Sequence, residues 1–287
     1  MLLIAGTVPS LGLHATMGKV EQDGDFLVFG GERIPSMQGT TVMISAALAV
    51  TRFFGLEPPY ALVAGDAGDG GGTREIYDIL FQKLPELAPK VVTLHYCLPV
   101  MGLIRRFLQT VDKCKERPIL IADAGAMYAA KAAGVAKQFD IFTPDPSEMA
   151  YLADAKASHP AYVSEHLIIV DSSQVPQEIA DAYKHGDAAK LLLVKGKTDY
   201  VAKDGRVLAT INQPNVPALE PIGGTGDTIT GLISGLVYAG IEPEKAAVIA
   251  FRTNRIAGEL AQPTPATKAR QIVEKFGEAF KITTKET

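Results

Sequence analysis

Short apolar runs alternate with longer segments of helical period through most of this chain, and that alternation constrains the fold more than any other feature. Residues 2–5, 26–29, 60–64, 91–94, 119–122, 167–170, 191–194, 200–202 and 207–210, with a short run at 141, read as strands bounded by turn residues. Helices are expected over 39–54, from 73, over 100–113, 127–137, 147–153, 176–184, 229–240, 243–260 and 267–280. Strands that alternate with helices predict an α/β fold: a three-layer α/β/α sandwich with a mainly parallel central sheet covered on both faces. No repeat, low-complexity tract or Pro/Gly/Ser-rich linker divides the chain, so residues 1–287 are expected to form one domain.

Composition narrows the function classes. Hydrophobic residues make up 47% of the 287 and charged residues 21%, which suits a soluble protein with a substantial core. A net charge of -4 with no basic block gives nucleic acid no footprint. No apolar run approaches the roughly 18 residues of a membrane span, and the opening Met1 to Ala5 lacks a basic region, so it reads as a strand. Two cysteines, Cys97 and Cys114, form no disulfide framework or metal-ligand spacing, which predicts a cytoplasmic setting. The five histidines are scattered and read mostly as surface or satisfied core residues. P-loop and dinucleotide-binding glycine patterns are missing.

The stretch Pro221-Ile222-Gly223-Gly224-Thr225-Gly226-Asp227-Thr228 opens an apolar helix with Ile229, Leu232, Ile233, Leu236 and Val237 on one face. Glycines at a helix head leave backbone N–H groups bare at the positive end of the macrodipole, where an anion such as phosphate fits. Asp227 beside that site reads either as a helix cap or as a base that accepts a proton from a hydroxyl attacking phosphorus.

Other segments carry polar groups at strand ends, where ligands of open α/β sheets sit. Asp123 follows the run 119–122, and Lys195-Gly196 follows 191–194. Lysine is a point-charge partner for phosphate, and glycine lets backbone approach a ligand. Thr143-Pro144-Asp145-Pro146-Ser147-Glu148-Met149 reads as a strand end and a helix start, with Glu148 in the first turn. Gly30-Gly31, Gly39-Thr40 and the loop Gly65-Asp66-Ala67-Gly68-Asp69-Gly70 are glycine-rich turns that read as solvent loops.

Gly224-Thr225-Gly226-Asp227 and its helix resemble the anion-hole and catalytic-base signature of the ribokinase-like superfamily. The form with Thr225 is closest to the ADP- or ATP-dependent NAD(P)H-hydrate dehydratases. The segment around Glu148 is similar to the Thr-Pro-His-x-x-Glu-Met pattern of that branch, with Asp145 where the branch has His. Residues 123–127 are similar to its Asp-Ala-Asp-Ala-Leu segment, with Gly125 replacing the second acid.

The resemblance implies a ribokinase-like fold and a nucleotide-dependent enzyme using ATP or ADP with Mg²⁺. It implies Asp227 as base, with the amides of Gly224, Thr225 and Gly226 as anion hole. Lys195, Gly196 and Asn254 would border the nucleotide, and Glu148 would hold the metal through water. Gly31, Gly39, Thr40, Asp66, Asp123 and Asp145 would lie near a small-molecule substrate with an acceptor hydroxyl. Hydrate dehydratase is the preferred activity; a sugar or vitamin kinase and a catalytically inactive nucleotide-binding protein are the alternatives. Neither nucleic acid nor membrane is an expected partner, and a homo-oligomer is compatible with the sequence.

Overall fold

The computed structural model describes residues 1–10, 12–157 and 172–284. Its strands are β1 (Leu2–Val8), β2 (Thr16–Lys19), β3 (Glu21–Asp23), β4 (Phe26–Phe29), β5 (Glu32–Pro35), β6 (Tyr60–Gly65), β7 (Val91–His95), β8 (Ile119–Ala122), β9 (Ile141–Phe142), β10 (Leu191–Val194), β11 (Asp199–Lys203) and β12 (Arg206–Ile211). The α-helices are α1 (Gly39–Phe53), α2 (Gly71–Leu87), α3 (Met101–Val111), α4 (Gly125–Ala132), α5 (Pro146–Ala153), α6 (Val175–His185), α7 (Thr225–Tyr238), α8 (Pro243–Leu260), α9 (Ala269–Val273) and α10 (Phe276–Thr283).

Among the described residues, nine strands form one sheet in the order β12-β11-β10-β9-β8-β7-β1-β6-β2. From β10 to β6 every pairing is parallel, and antiparallel strands close both edges. Alternation along β1 explains the layers: Leu2 and Ile4 face one core with α1, α7, α8 and α10, while Leu3 and Ala5 face the other with α2 to α6. Strands β3, β4 and β5 form a separate antiparallel sheet.

Several boundaries differ from the sequence expectation. Helix α4 begins at Gly125, two residues early, and ends at Ala132. The expected helix over 267–280 is two short helices, α9 and α10. Strands β2, β3 and β5 were not expected; they are three or four residues long and largely polar, so they carry little apolar period. The strand expected at 167–170 lies outside the described residues.

Helices α1 and α7 approach so closely that glycine is required between them. A Cβ on Gly231 would lie 2.1 Å from the Met43 carbonyl oxygen, and one on Gly235 would lie 2.6 Å from the Val50 Cβ. Each glycine costs its helix about 1 kcal/mol relative to alanine, which the close packing of two nearly fully buried helices offsets. Gly231→Ala is therefore expected to destabilise the protein by about 1–3 kcal/mol despite its better helix propensity. The urea unfolding midpoint checks this, and a variant as stable as wild type would mean that the helices separate at no cost.

Candidate active site

The carboxyl ends of the parallel strands gather polar side chains that the rest of the core excludes. His95 ends β7, Asp123 follows β8, Thr143 follows β9 and Lys195 follows β10. The heads of α1 and α7 point into the same place.

Asp227 is the third residue of α7 and is only 9% exposed. Its carboxylate does not cap its own helix. One oxygen accepts from the Gly39 amide at 2.9 Å and the other meets His95 Nε2 at 3.1 Å. His95, fully buried, turns Nδ1 to the Thr40 hydroxyl at 2.9 Å, and that hydroxyl donates to the Thr7 carbonyl at 2.6 Å. Burial alone would raise the Asp227 pKa, but the hydrogen bond and charge of His95, the Lys195 ammonium and the Gly39 amide together hold it below the ordinary carboxylate value.

Ahead of Asp227, Gly224 adopts φ +98°, where a Cβ would press on Ala269, Val42 and Gln38 at 3.1–3.2 Å. Among the described residues, the amides of Gly224, Thr225, Gly226 and Asp227 donate to no protein acceptor, while the Thr228 amide donates to the Gly224 carbonyl at 3.0 Å. Free donors at the head of a fourteen-residue helix form an anion cradle. The Lys195 chain runs beside it: Nζ lies 3.8 Å from where a Gly226 Cβ would sit.

Lys195 Nζ donates to both Asp123 oxygens, at 3.0 and 2.9 Å, and the Thr230 hydroxyl donates to Asp123 at 2.6 Å. Burial would lower the Lys195 pKa, but the charges of Asp123, Glu148 and Asp227 raise it, so the ammonium stays charged. Asp145 and Glu148 form a reciprocal capping box at the start of α5, each side chain accepting from the other's amide at 2.8 Å. Burial and the nearby Asp123 charge push Glu148 up to about 8. A buried carboxyl beside a second acid is the kind of donor set a hard, water-bearing cation relieves.

The family follows from a sequence match over this same region: residues 91–276, well over half of the chain, fit the family model of NAD(P)H-hydrate dehydratase. The chain belongs to that family. An uncharacterized protein of Methanocaldococcus jannaschii is 37% identical over 243 residues, covering 85% of this chain and 100% of that one. The ADP-dependent (S)-NAD(P)H-hydrate dehydratase of Xanthomonas campestris pv. campestris is 27% identical over 263 residues, 86% of this chain and 83% of that one. A ribokinase-like superfamily protein of Enterococcus faecalis superposes with a TM-score of 0.55 at 15% identity, over 98% of this chain and 86% of that one, which shows the ribokinase-like fold.

In this dehydratase-family chain the site residues expected from sequence divide into groups. Asp227, Gly39, Thr40, Asp123, Lys195 and the Gly224 to Gly226 amides converge on one centre. Glu148 stands beside it, within reach of the Asp123 and Lys195 charges. Asp145 is occupied as a helix cap. Asn254 braces the cradle, accepting from the Thr228 hydroxyl at 2.7 Å and donating to the Thr225 carbonyl at 3.2 Å. Gly196 is tied by its amide to Asp199 and by its carbonyl to Arg255. Gly31 lies exposed in the β4–β5 turn, and Asp66 spends its carboxylate on Gly68, Gly70 and Thr73 of its own loop.

Two participants were missed. His95 stands at a strand's carboxyl end, the same signal that singled out Asp123. Arg255 reaches Asp199 and the carbonyls of Gly196 and Lys197, contacts no sequence period announces. A cavity of about 600 Å³ lies elsewhere, where Lys137, Lys184 and Lys190 surround the region before β10. Among the described residues no helix is long and apolar enough to cross a membrane.

The raised Glu148 pKa carries a sign. Between about pH 4.5 and 8 the folded protein holds a proton there that the unfolded chain releases, so stability contributed by this group falls as pH rises through that window. Glu148→Gln is expected to unfold at a urea midpoint that loses less between pH 5 and 8 than wild type. Parallel slopes in the two proteins would contradict the raised value.

Proposed function

We propose that this protein is an ADP- or ATP-dependent NAD(P)H-hydrate dehydratase that acts by phosphorylating the hydrate hydroxyl and eliminating phosphate. The observation that carries this reading is the pairing of one ionised, immobilised carboxylate, Asp227, with the unbonded amides at the head of its own helix. Membership of the dehydratase family and the likeness to an ADP-dependent relative support this choice of substrate and nucleotide.

Asp227 accepts the proton of the hydrate hydroxyl as its oxygen forms a bond to the terminal phosphorus and the bridging bond to the nucleotide breaks. The amides of Gly224, Thr225 and Gly226 hold the charge on the transferring phosphoryl oxygens, and Lys195 neutralises the phosphates beside them. Phosphate then leaves with a proton from the adjacent ring carbon and restores the dihydropyridine. Gly196 and Asn254 border the nucleotide side through the loops they brace, and Gly39, Thr40 and Asp123 line the reacting side. Glu148 with Asp123 would hold Mg²⁺ through water, and the bound ion would supply charge neutralisation for the nucleotide phosphates. The residues form a single ribokinase-like unit working in the cytoplasm.

Incubating the protein with hydrated NADH and ADP or ATP should return dihydronicotinamide absorbance and release phosphate. Phosphate that stays on the acceptor would make the protein a kinase. Asp227→Asn should lower kcat by about 10²- to 10⁴-fold while nucleotide affinity, by calorimetry, changes by no more than about threefold. Turnover at the wild-type rate in that variant would remove Asp227 as the base.

A further inference from the structure

Tyr96 follows β7 directly and is the one aromatic side chain beside the Asp227–His95 pair that stays open to solvent among the described residues, at 47% exposure. Its backbone is in the left-handed region, φ +51°, which is unfavourable for a bulky side chain. The Thr7 hydroxyl fixes that backbone by donating to the Tyr96 carbonyl at 2.6 Å. A residue held in a costly conformation with its side chain only half-buried is a candidate for function, because burial alone does not explain the cost.

The ring has defined neighbours. It packs on the His95 ring with centroids 3.8 Å apart, and its edge lies 3.0–3.4 Å from where a Cβ on Gly39 would sit. Gly39 and His95 are the two residues that bond Asp227, so the phenol stands one residue away from the carboxylate on both sides. An aromatic face that packs on His95 and Gly39, the two partners of Asp227, suits a flat, uncharged ring. Burial and the charges of Asp227 and Asp123 raise the phenol's pKa, so it remains a neutral surface with one donor hydroxyl.

We propose that Tyr96 is the platform on which the reduced nicotinamide ring of the substrate lies while its hydroxyl faces Asp227. This assignment rests on the dehydratase reading and names a substrate-contact residue within it. Stacking on an aromatic side chain is typically worth about tenfold in affinity or more.

The test is equilibrium binding of NADH, the reaction product, and separately of ADP, to the full chain and to Tyr96→Ala and Tyr96→Phe, with the KM for hydrated NADH measured alongside. Tyr96→Ala should weaken NADH binding and raise the hydrate KM by about tenfold or more with ADP affinity unchanged, and Tyr96→Phe should match wild type. Wild-type NADH binding that is indifferent to Tyr96→Ala would overturn the platform alone, as would equal losses for NADH and ADP. Wild-type protein that binds ADP but returns no dihydronicotinamide absorbance from hydrated NADH with ADP or ATP would instead overturn the dehydratase reading on which the platform stands.

Discussion

The contact between α1 and α7 governs the geometry of everything around it. These helices are far apart in sequence, and α7 presents glycine where a side chain would collide with α1, as at Gly231 against the Met43 carbonyl. That approach sets the distance between their heads, and the Gly39 amide thereby reaches Asp227 across 188 residues of chain. A carboxylate held by an amide from another helix and by a buried imidazole has little rotational freedom left. Orientation is then paid in the folding of the helix pair, before any substrate arrives.

Around that fixed acid the charges are balanced unevenly. Asp123 is matched by Lys195 through two hydrogen bonds and by Thr230 through a third, so a buried ion pair that would be costly alone has its remaining lone pairs occupied. Glu148 accepts from the Asp145 amide but makes no ion pair among the described residues, and its pKa moves up while that of Asp227 moves down. Two carboxyl groups within one site thus favour different protonation states near neutrality, because one is bonded to His95 and Gly39 and the other is buried against a second acid. The Lys195 charge pulls the Glu148 pKa down, but burial and the Asp123 charge outweigh it.

What could be read from the chain is what local physics writes locally. The alternation of apolar runs gave the parallel sheet, and the bare glycines before Ile229 marked a helix head with donors to spare. Asp145 and Glu148 could be read as a cap because a capping box spans four residues. Contacts made by residues distant in sequence left less trace. His95 looks like any core histidine until Asp227 is brought beside it by α7, and Arg255 looks like a helix-surface charge until the β11 turn places Asp199 at 2.6 Å. The partners of the Asp227 oxygens likewise lie on α1 and β7, contacts that no local pattern announces.

Backbone strain gathers at the same strand ends. Neighbouring strands β7 and β8 both run into non-glycine residues at positive φ, Tyr96 at +51° and Ala124 at +50°, immediately at the ends where the polar groups gather. Next to Ala124, the Asp123 side chain accepts from the Ala124 amide at 2.9 Å, which holds the turn and aims the carboxylate at Lys195. Next to Tyr96, the Thr7 hydroxyl does the holding from β1. Two adjacent strand ends bent this way turn the chain sharply out of the sheet, so that His95 and Asp123 can face the centre while Tyr96 faces outward. Strain kept at two neighbouring positions and secured by hydrogen bonds at both is better explained by the direction it gives to side chains than by stability, to which it contributes only cost.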